Sequence, residues 1–292
     1  MKHLSAAELL DAWEACQALP SPQRSLALLL AALPEVSVNE LACEPVGRRD
    51  GRLLTMREHL FGRQIAALAI CQQCGLQVDL IFATTDIHAP EAAPDATAVV
   101  HVDGYQVVVR AINSLDLMEL QAAEGQISQR MPTTNAEADA EAEAEAEAEA
   151  EADAVVSVES DAGADTGMQP APVRGTEAGR RFLLERCVIE ARYNGDPASA
   201  TALPNDVVTA ISRCLSEIDP QAEVLLDMAC PDCGAQWQAL FDIAGFLWTE
   251  LDAWARRTLL EVHHLAWTYS WREADILALS QQRRQRYLQM IG

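Results

Sequence analysis

Aromatic side chains are scarce in this 292-residue chain, at 5%, and much of its 50% apolar content is alanine gathered in one biased segment. The other apolar residues still suffice for a sizeable core in one or two domains. No apolar run reaches the roughly 18 residues of a membrane span. The first residues, Met1 to Leu10, acquire Glu8 early and lack the apolar stretch and cleavage site of a secretory signal. These absences predict a soluble protein of the cytoplasm. Cationic residues are also short, and the formal net charge is −23. Twelve acidic residues fall between Glu137 and Asp165, a stretch without Lys or Arg, and the rest of the chain carries −11. A general nucleic-acid binder would present a basic face, so that class is disfavoured. Missing too are a phosphate-binding glycine loop and any Ser/His/Asp or Cys/His set with a local signature, so no enzyme and no catalytic residue are expected.

Cysteine, by contrast, is plentiful: there are eight. Without export, disulfides are disfavoured. Cys16, Cys43, Cys187 and Cys214 are scattered among apolar neighbours, where buried, inert thiols are expected. The other four form two Cys-x-x-Cys-Gly knuckles, Cys71/Cys74 and Cys230/Cys233. The segment Cys71 to Phe82 aligns without gaps on Cys230 to Phe241, and the cysteines, the glycine, the glutamine and the final phenylalanine coincide. Zinc prefers four soft ligands in a tetrahedron, and each knuckle directs two thiolates at one ion. The glycine after each second cysteine permits a positive-φ turn. One structural zinc per chain, bound by Cys71, Cys74, Cys230 and Cys233, is therefore expected. A redox pair of the thioredoxin kind usually opens a helix, whereas both knuckles lie between predicted strands. A catalytic zinc needs an open position, and four thiolates leave none. A reversible disulfide formed on loss of the metal is the remaining alternative.

Around the knuckles the pattern is mixed. Ser5-Ala6-Ala7-Glu8 has capping-box form and opens a helix bearing Leu9, Leu10, Trp13 and Cys16. Helices are predicted over Gln23 to Leu33 and Asp50 to Leu60, the latter stopped by Gly62. Gln64 to Ile70 and Leu76 to Phe82 read as strands flanking the first knuckle. His101 to Ala111 is β-rich, and Ser114 is expected to cap a helix through Leu115, Met118 and Leu120. Glu and Ala alternate strictly from Glu141 to Ala152. Like charges at i,i+4 weaken a helix there, and a disordered, self-repelling acidic insert is expected over 131–175. Arg180 to Ala191 is helical or mixed, and a helix follows Pro204. Ala222 to Met228 and Ala235 to Phe241 flank the second knuckle as strands. A long helix spans Ile243 to Thr268, then a short one Glu273 to Leu279, and Ser280 can cap a last one.

Three C-terminal features have bland readings. His263 and His264 are adjacent, so on a helix they point about 100° apart and cannot chelate together. One is expected in the core and one in water. Trp248, Trp254, Trp267 and Trp271 with Tyr269 predict a helix–helix core, with an aromatic docking face as the functional reading. Arg283-Arg284-Gln285-Arg286 is a small basic patch, expected on a solvated face.

Three stretches carry a resemblance. The first is Val46-Gly47-Arg48-Arg49-Asp50-Gly51-Arg52-Leu53-Leu54 with Arg57 to Gly62. The second is Asp219 to Glu223 leading to the second knuckle. The third runs Phe246 to Leu251, Glu261 to Ala266, Trp271, and Asp275 to Ser280 on to Arg283-Arg284 and Tyr287-Leu288. Together these resemble the T-even-type phage baseplate hub assembly chaperone family, over most of residues 40–125 and 180–290. The resemblance implies a non-enzymatic assembly factor or minor baseplate component of a contractile tail or phage-tail-like injection system. It maps the four cysteines onto the family's knuckles.

The expected fold class is α+β: a split four-cysteine zinc ribbon with a small antiparallel sheet, N-terminal helices and a C-terminal helical bundle. Residues 1–130 would hold the N-terminal helices and first knuckle, 131–175 the acidic insert, and 176–292 the second knuckle and C-terminal helices, both halves forming one domain around the zinc. The expected partners are baseplate or hub subunits, without nucleic acid, membrane or small-molecule substrate. The protein would be cytoplasmic or incorporated into the particle. The alternative is a zinc-ribbon regulator that binds nucleic acid, motivated by the ribbon and the arginine patch.

Overall fold

A computed structural model describes residues 1–130, 167–168 and 177–291. The acidic insert expected over 131–175 lies outside the described residues, except for Gly167 and Met168. Among the described residues the fold mixes helices with small, mainly antiparallel sheets. No helix among them is long and apolar enough to cross a membrane.

The N-terminal half starts with α1 (Ala6–Cys16), α2 (Ser21–Ala32), α3 (Val38–Cys43) and α4 (Val46–Phe61). Ser5 and Glu8 form the expected capping box, satisfying orphan amides at the start of α1. A second box, Ser37 with Glu40, opens α3, which is absent from the sequence reading. Gly62, at φ 88°, ends α4 where a side chain would be strained. The hairpin β1 (Gln64–Ile70) and β2 (Gln77–Ala83) follows, with Gln64 opposite Ala83 and Ile70 opposite Gln77. β3 (Thr97–Val102) and β4 (Tyr105–Arg110) form a second hairpin, and α5 (Ser114–Arg130) leaves it. The cap of α5 is Asn113 rather than Ser114: its side chain accepts from Asp116 N–H, and Asp116 accepts from Asn113 N–H, both at 3.0 Å.

A two-residue strand β5 (Gly167–Met168) runs parallel to β1. The second half then gives α6 (Glu177–Cys187), β6 (Val188–Tyr193), β7 (Asp196–Pro197), α7 (Asn205–Ile218), the hairpin β8 (Leu225–Ala229) and β9 (Gln236–Leu240), and the helices α8 (Ile243–Tyr269), α9 (Glu273–Leu277) and α10 (Gln281–Ile291). The β6 strand adds to β4, making a sheet β3-β4-β6-β7 that the sequence reading did not foresee. The α7 helix covers it, and Val100, Val107, Val109, Ala191, Val207 and Ile211 form a separate small core.

The main core joins residues from both sides of the insert. Leu26, Leu29, Leu41, Leu53 and Leu54 pack with Leu247, Leu251, Leu265 and Ile276. Burying each such side chain stabilises by about 1.5–3 kcal/mol. Polar contacts cross the same boundary. Arg57 makes a bidentate pair with Glu250, at 2.8 and 2.7 Å, and donates to Gly62 O at 2.7 Å. Its side chain is 3% exposed and that of Glu250 16%. Gly47 N–H donates to the buried Asp219 carboxylate at 2.8 Å. A Cβ on Gly47 would lie 2.2 Å from Asp219 Oδ1 and 2.5 Å from Ala222 N, so only glycine lets the 219–222 turn sit on α4.

The C-terminal helices depart from expectation in three places. Trp267 is exposed and not core, because it lies on the side of α8 opposite the buried Leu251, Ala255, Val262 and Leu265. Trp271 does pack, stacked on Tyr269 at 4.8 Å and edge-on to Tyr287 at 4.9 Å. His263 and His264 are both exposed, since the buried stripe of α8 passes through Val262 and Leu265 beside them. Arg284 is buried, not solvated: it turns inward to pair with Glu261 at 2.8 Å.

Candidate metal centre

The β1 strand alternates exposed and buried positions, with Ile65, Ala67 and Ala69 turned inward. Its end delivers Cys71 to a tight turn. Cys71 N–H donates to Leu76 O at 2.9 Å, and Gly75 N–H donates back to Cys71 O at 2.8 Å. The second turn repeats this geometry: Cys230 N–H to Ala235 O at 2.8 Å, and Gly234 N–H to Cys230 O at 3.0 Å. Gly75 and Gly234 have φ of 76° and 72°, the positive values expected at these two positions. The repeated sequence thus folds as a repeated turn.

The two turns meet tip to tip. Cys71 Sγ lies 3.7 Å from Cys233 Sγ, and Cys74 Sγ lies 3.6 Å from Cys230 Sγ. All four sulfurs fall within 4.8 Å of one another. A tetrahedron with metal–sulfur bonds of about 2.3 Å has sulfur–sulfur edges of about 3.8 Å. The donor set therefore fits a single thiolate-bound ion, and these four cysteines could hold a metal. Cys71 and Cys230 are buried, Cys74 and Cys233 exposed, so the site has an inner and an outer edge. Beneath it, Ala69, Met228 and Ala239 form a small apolar cluster with Val78, Leu80, Leu226 and Trp237, joining the two hairpins. The phenylalanines that end the two repeats also touch: Phe82 and Phe241 pack edge to face at 5.5 Å.

The thiols differ in acidity. The Cys74 and Gln73 backbone amides bring Cys71 down to about 7. At Cys74 the Leu76 amide pulls down, but the hydration lost at the turn and the three neighbouring sulfurs prevail and push it up to about 12. Cys233 is raised as well: the Ala235 amide and Cys74 lower it, and lost hydration with the neighbouring Cys230 and Cys71 outweighs them. Cys71 ionises readily while Cys74 and Cys233 resist, as expected for like charges sharing a site. A cation among the sulfurs removes that penalty.

A comparison of the chain with protein-family models, curated proteins and solved structures found no match. The remaining cysteines stand apart from the centre. Cys16 and Cys187 are buried as expected, and burial, helped by Asp116, pushes Cys187 up to about 12. Cys43 is exposed and Cys214 only half-buried, against expectation. Leu41 and Ala42 take the inner face of α3, which leaves Cys43 turned about 100° outward at its last position.

Three groups of residues were missed by sequence reasoning. The Phe82–Phe241 contact was visible only as a coincidence of the repeat. Arg57–Glu250 carries no local signal across 193 positions. The exposed apolar residues of α8, Leu260 above all, do carry one, because they fall off the helix's buried stripe.

Proposed function

We propose that the four cysteines hold one zinc ion as a structural, ribbon-type centre. We further propose that the chain is a non-enzymatic component or assembly factor of the baseplate of a contractile phage tail or phage-tail-like injection system. For the metal, the supporting observation is the set of four sulfurs at tetrahedral spacing between two equivalent hairpins. Four thiolates select zinc or iron over harder cations, and with all four bound no position stays open for a substrate. Metal analysis of the chain expressed without a histidine tag tests this. One zinc per chain is expected; iron, with its visible thiolate absorption, or no metal overturns it.

For the assembly role, the observation is the resemblance in three stretches. Their residues fall on α4, on the 219–222 turn and on α8–α10. There they make the Gly47–Asp219, Arg57–Glu250 and Glu261–Arg284 contacts that hold distant parts of the chain together. The distinctive residues are thus those of a scaffold, and the reading is of a chain that works by presenting surfaces to other proteins. Co-expression with the baseplate and hub subunits of a contractile tail tests it. Stable co-purification with at least one of them is expected, and association with none overturns the reading.

A further inference from the structure

The outer face of α8 and the last helix, α10, enclose an open groove of about 760 Å³. Its walls are Arg257, Leu260, His264 and Trp267 on α8, with Leu288 and Ile291 on α10. Leu260 is 56% exposed and Trp267 84%. Neither supports the fold in that position, and a large indole left in water beside an apolar groove marks a contact surface. The wall residues of α8 recur at three- and four-residue spacing from 257 to 267, along about 15 Å of helix. That is room for about three turns of a second helix laid alongside.

The charges of the groove select its occupant. Glu261, at one wall, is already held by Arg284 at 2.8 Å and by Gln285. Arg256 is paired with Asp252 at 2.8 Å. Arg257 is exposed and makes no ion pair among the described residues. The free charge of the groove is therefore positive, on a chain of net charge −23. A second copy of the chain is disfavoured on two grounds. The groove runs along only about 15 Å of one helix, short of the roughly 20–30 residues a side that a stable interface covers, and two strongly acidic chains repel.

We propose that this groove docks an amphipathic helix of a partner protein, with large apolar residues on one face and Asp or Glu along its flank. The apolar residues would cover Leu260, Leu288 and Ile291 beside the Trp267 indole, and a flanking carboxylate would pair with Arg257. The surface has this chemistry whether a baseplate subunit or another protein supplies the helix.

The test uses the full, metal-loaded chain and three labelled helical peptides of about 18 residues with the same leucine face, flanked by Glu, Lys or Gln, read by fluorescence anisotropy. The Glu-flanked peptide is expected to bind about tenfold tighter than the Lys-flanked one. Leu260→Asp should weaken it by at least about tenfold, and Arg257→Glu should reverse the preference. Both positions are exposed, so melting temperature and metal content should not change, which separates loss of docking from loss of fold. No binding, equal affinity for Glu and Lys flanks, or indifference to Leu260→Asp overturns the proposal. So does a dimer of the chain that Trp267→Ala dissolves, which would make a second copy the occupant. Binding seen only after residues 136–170 are deleted overturns it too, in favour of the chain's own acidic segment.

Discussion

Deleting residues 136–170 removes the two-residue β5 from the edge of β1 but should leave the metal centre and the shared core intact, because β1 keeps its seven-residue pairing with β2. Cys74 and Cys230 are 156 positions apart, so a metal bound by both closes a very long loop. The deletion shortens that loop by roughly a fifth, and closure entropy scales with the logarithm of length, so closing it becomes easier by only about 0.2 kcal/mol. The chain keeps 11 residues between Arg130 and Glu177, with an extended reach of roughly 35 Å. The helices they join, α5 and α6, are already linked by Arg186 to Asp116 at 2.8 Å. The expected result is one metal per chain, an affinity within about twofold, and a melting temperature raised by no more than about 1 °C. Metal content by mass spectrometry, competition with a chromophoric chelator and thermal melting check this. Loss of the metal, or a tenfold loss of affinity, would refute the split-centre reasoning. The matched control is Cys71→Ser or Cys230→Ser, which should lose the metal. Hydrogen exchange should then rise in 64–83 and 225–240 while the core of α8 stays protected, because the main core does not depend on the sulfurs.

Glu250→Ala leaves the Arg57 guanidinium buried without its counter-charge and should destabilise by about 3–5 kcal/mol in denaturant unfolding; a change below about 1 kcal/mol would mean the pair contributes little. Gly47→Ala should cost about 1–3 kcal/mol, because the added methyl meets backbone and carboxylate. Gly51→Ala on the same helix has its nearest neighbour at 3.8 Å and should be neutral or stabilising by up to about 1 kcal/mol. Asp50 gives a pH signature. Burial raises it from 3.8 to about 6, although Arg49 pulls the other way. The folded state therefore holds this proton more tightly than the unfolded chain, and the resulting stability is present below about pH 4 and lost as pH rises through about 6. Stability measured for the native chain minus that of Asp50→Asn should fall between those two pH values; a flat difference would show that Asp50 does not titrate there.

Much of the candidate centre was legible because its chemistry is local. Four residues of each knuckle, Cys71-x-x-Cys74-Gly75-x-Gln77 and its counterpart, repeat with the strand alternation around them, so the pattern carries both turn and ligands. The length of α8 was legible for the same reason, through apolar positions such as Phe246, Leu247, Leu251 and Leu265 at helical spacing. The β3-β4-β6-β7 sheet was not, because its strands have at most six residues and pair across the insert. Arg284 read as a surface charge because its partner, Glu261, lies on another helix. Trp267 read as core because composition cannot tell which side of a helix a tryptophan takes; only its place opposite Leu251 and Ala255 does.

The buried side chains of the main core come from before residue 88 and after residue 240, with Leu115, Met118, Val224 and Leu226 packed at its edge. The covalent connection through the middle of the chain is thus one of several ties between its ends, alongside Arg57–Glu250 and the apposed cysteine turns. A protease that nicks the chain once between residues 131 and 166 should yield two fragments that travel together on a sizing column and separate only in denaturant. By the same reasoning the protein can be produced as two polypeptides, split inside that stretch, that reassemble when co-expressed.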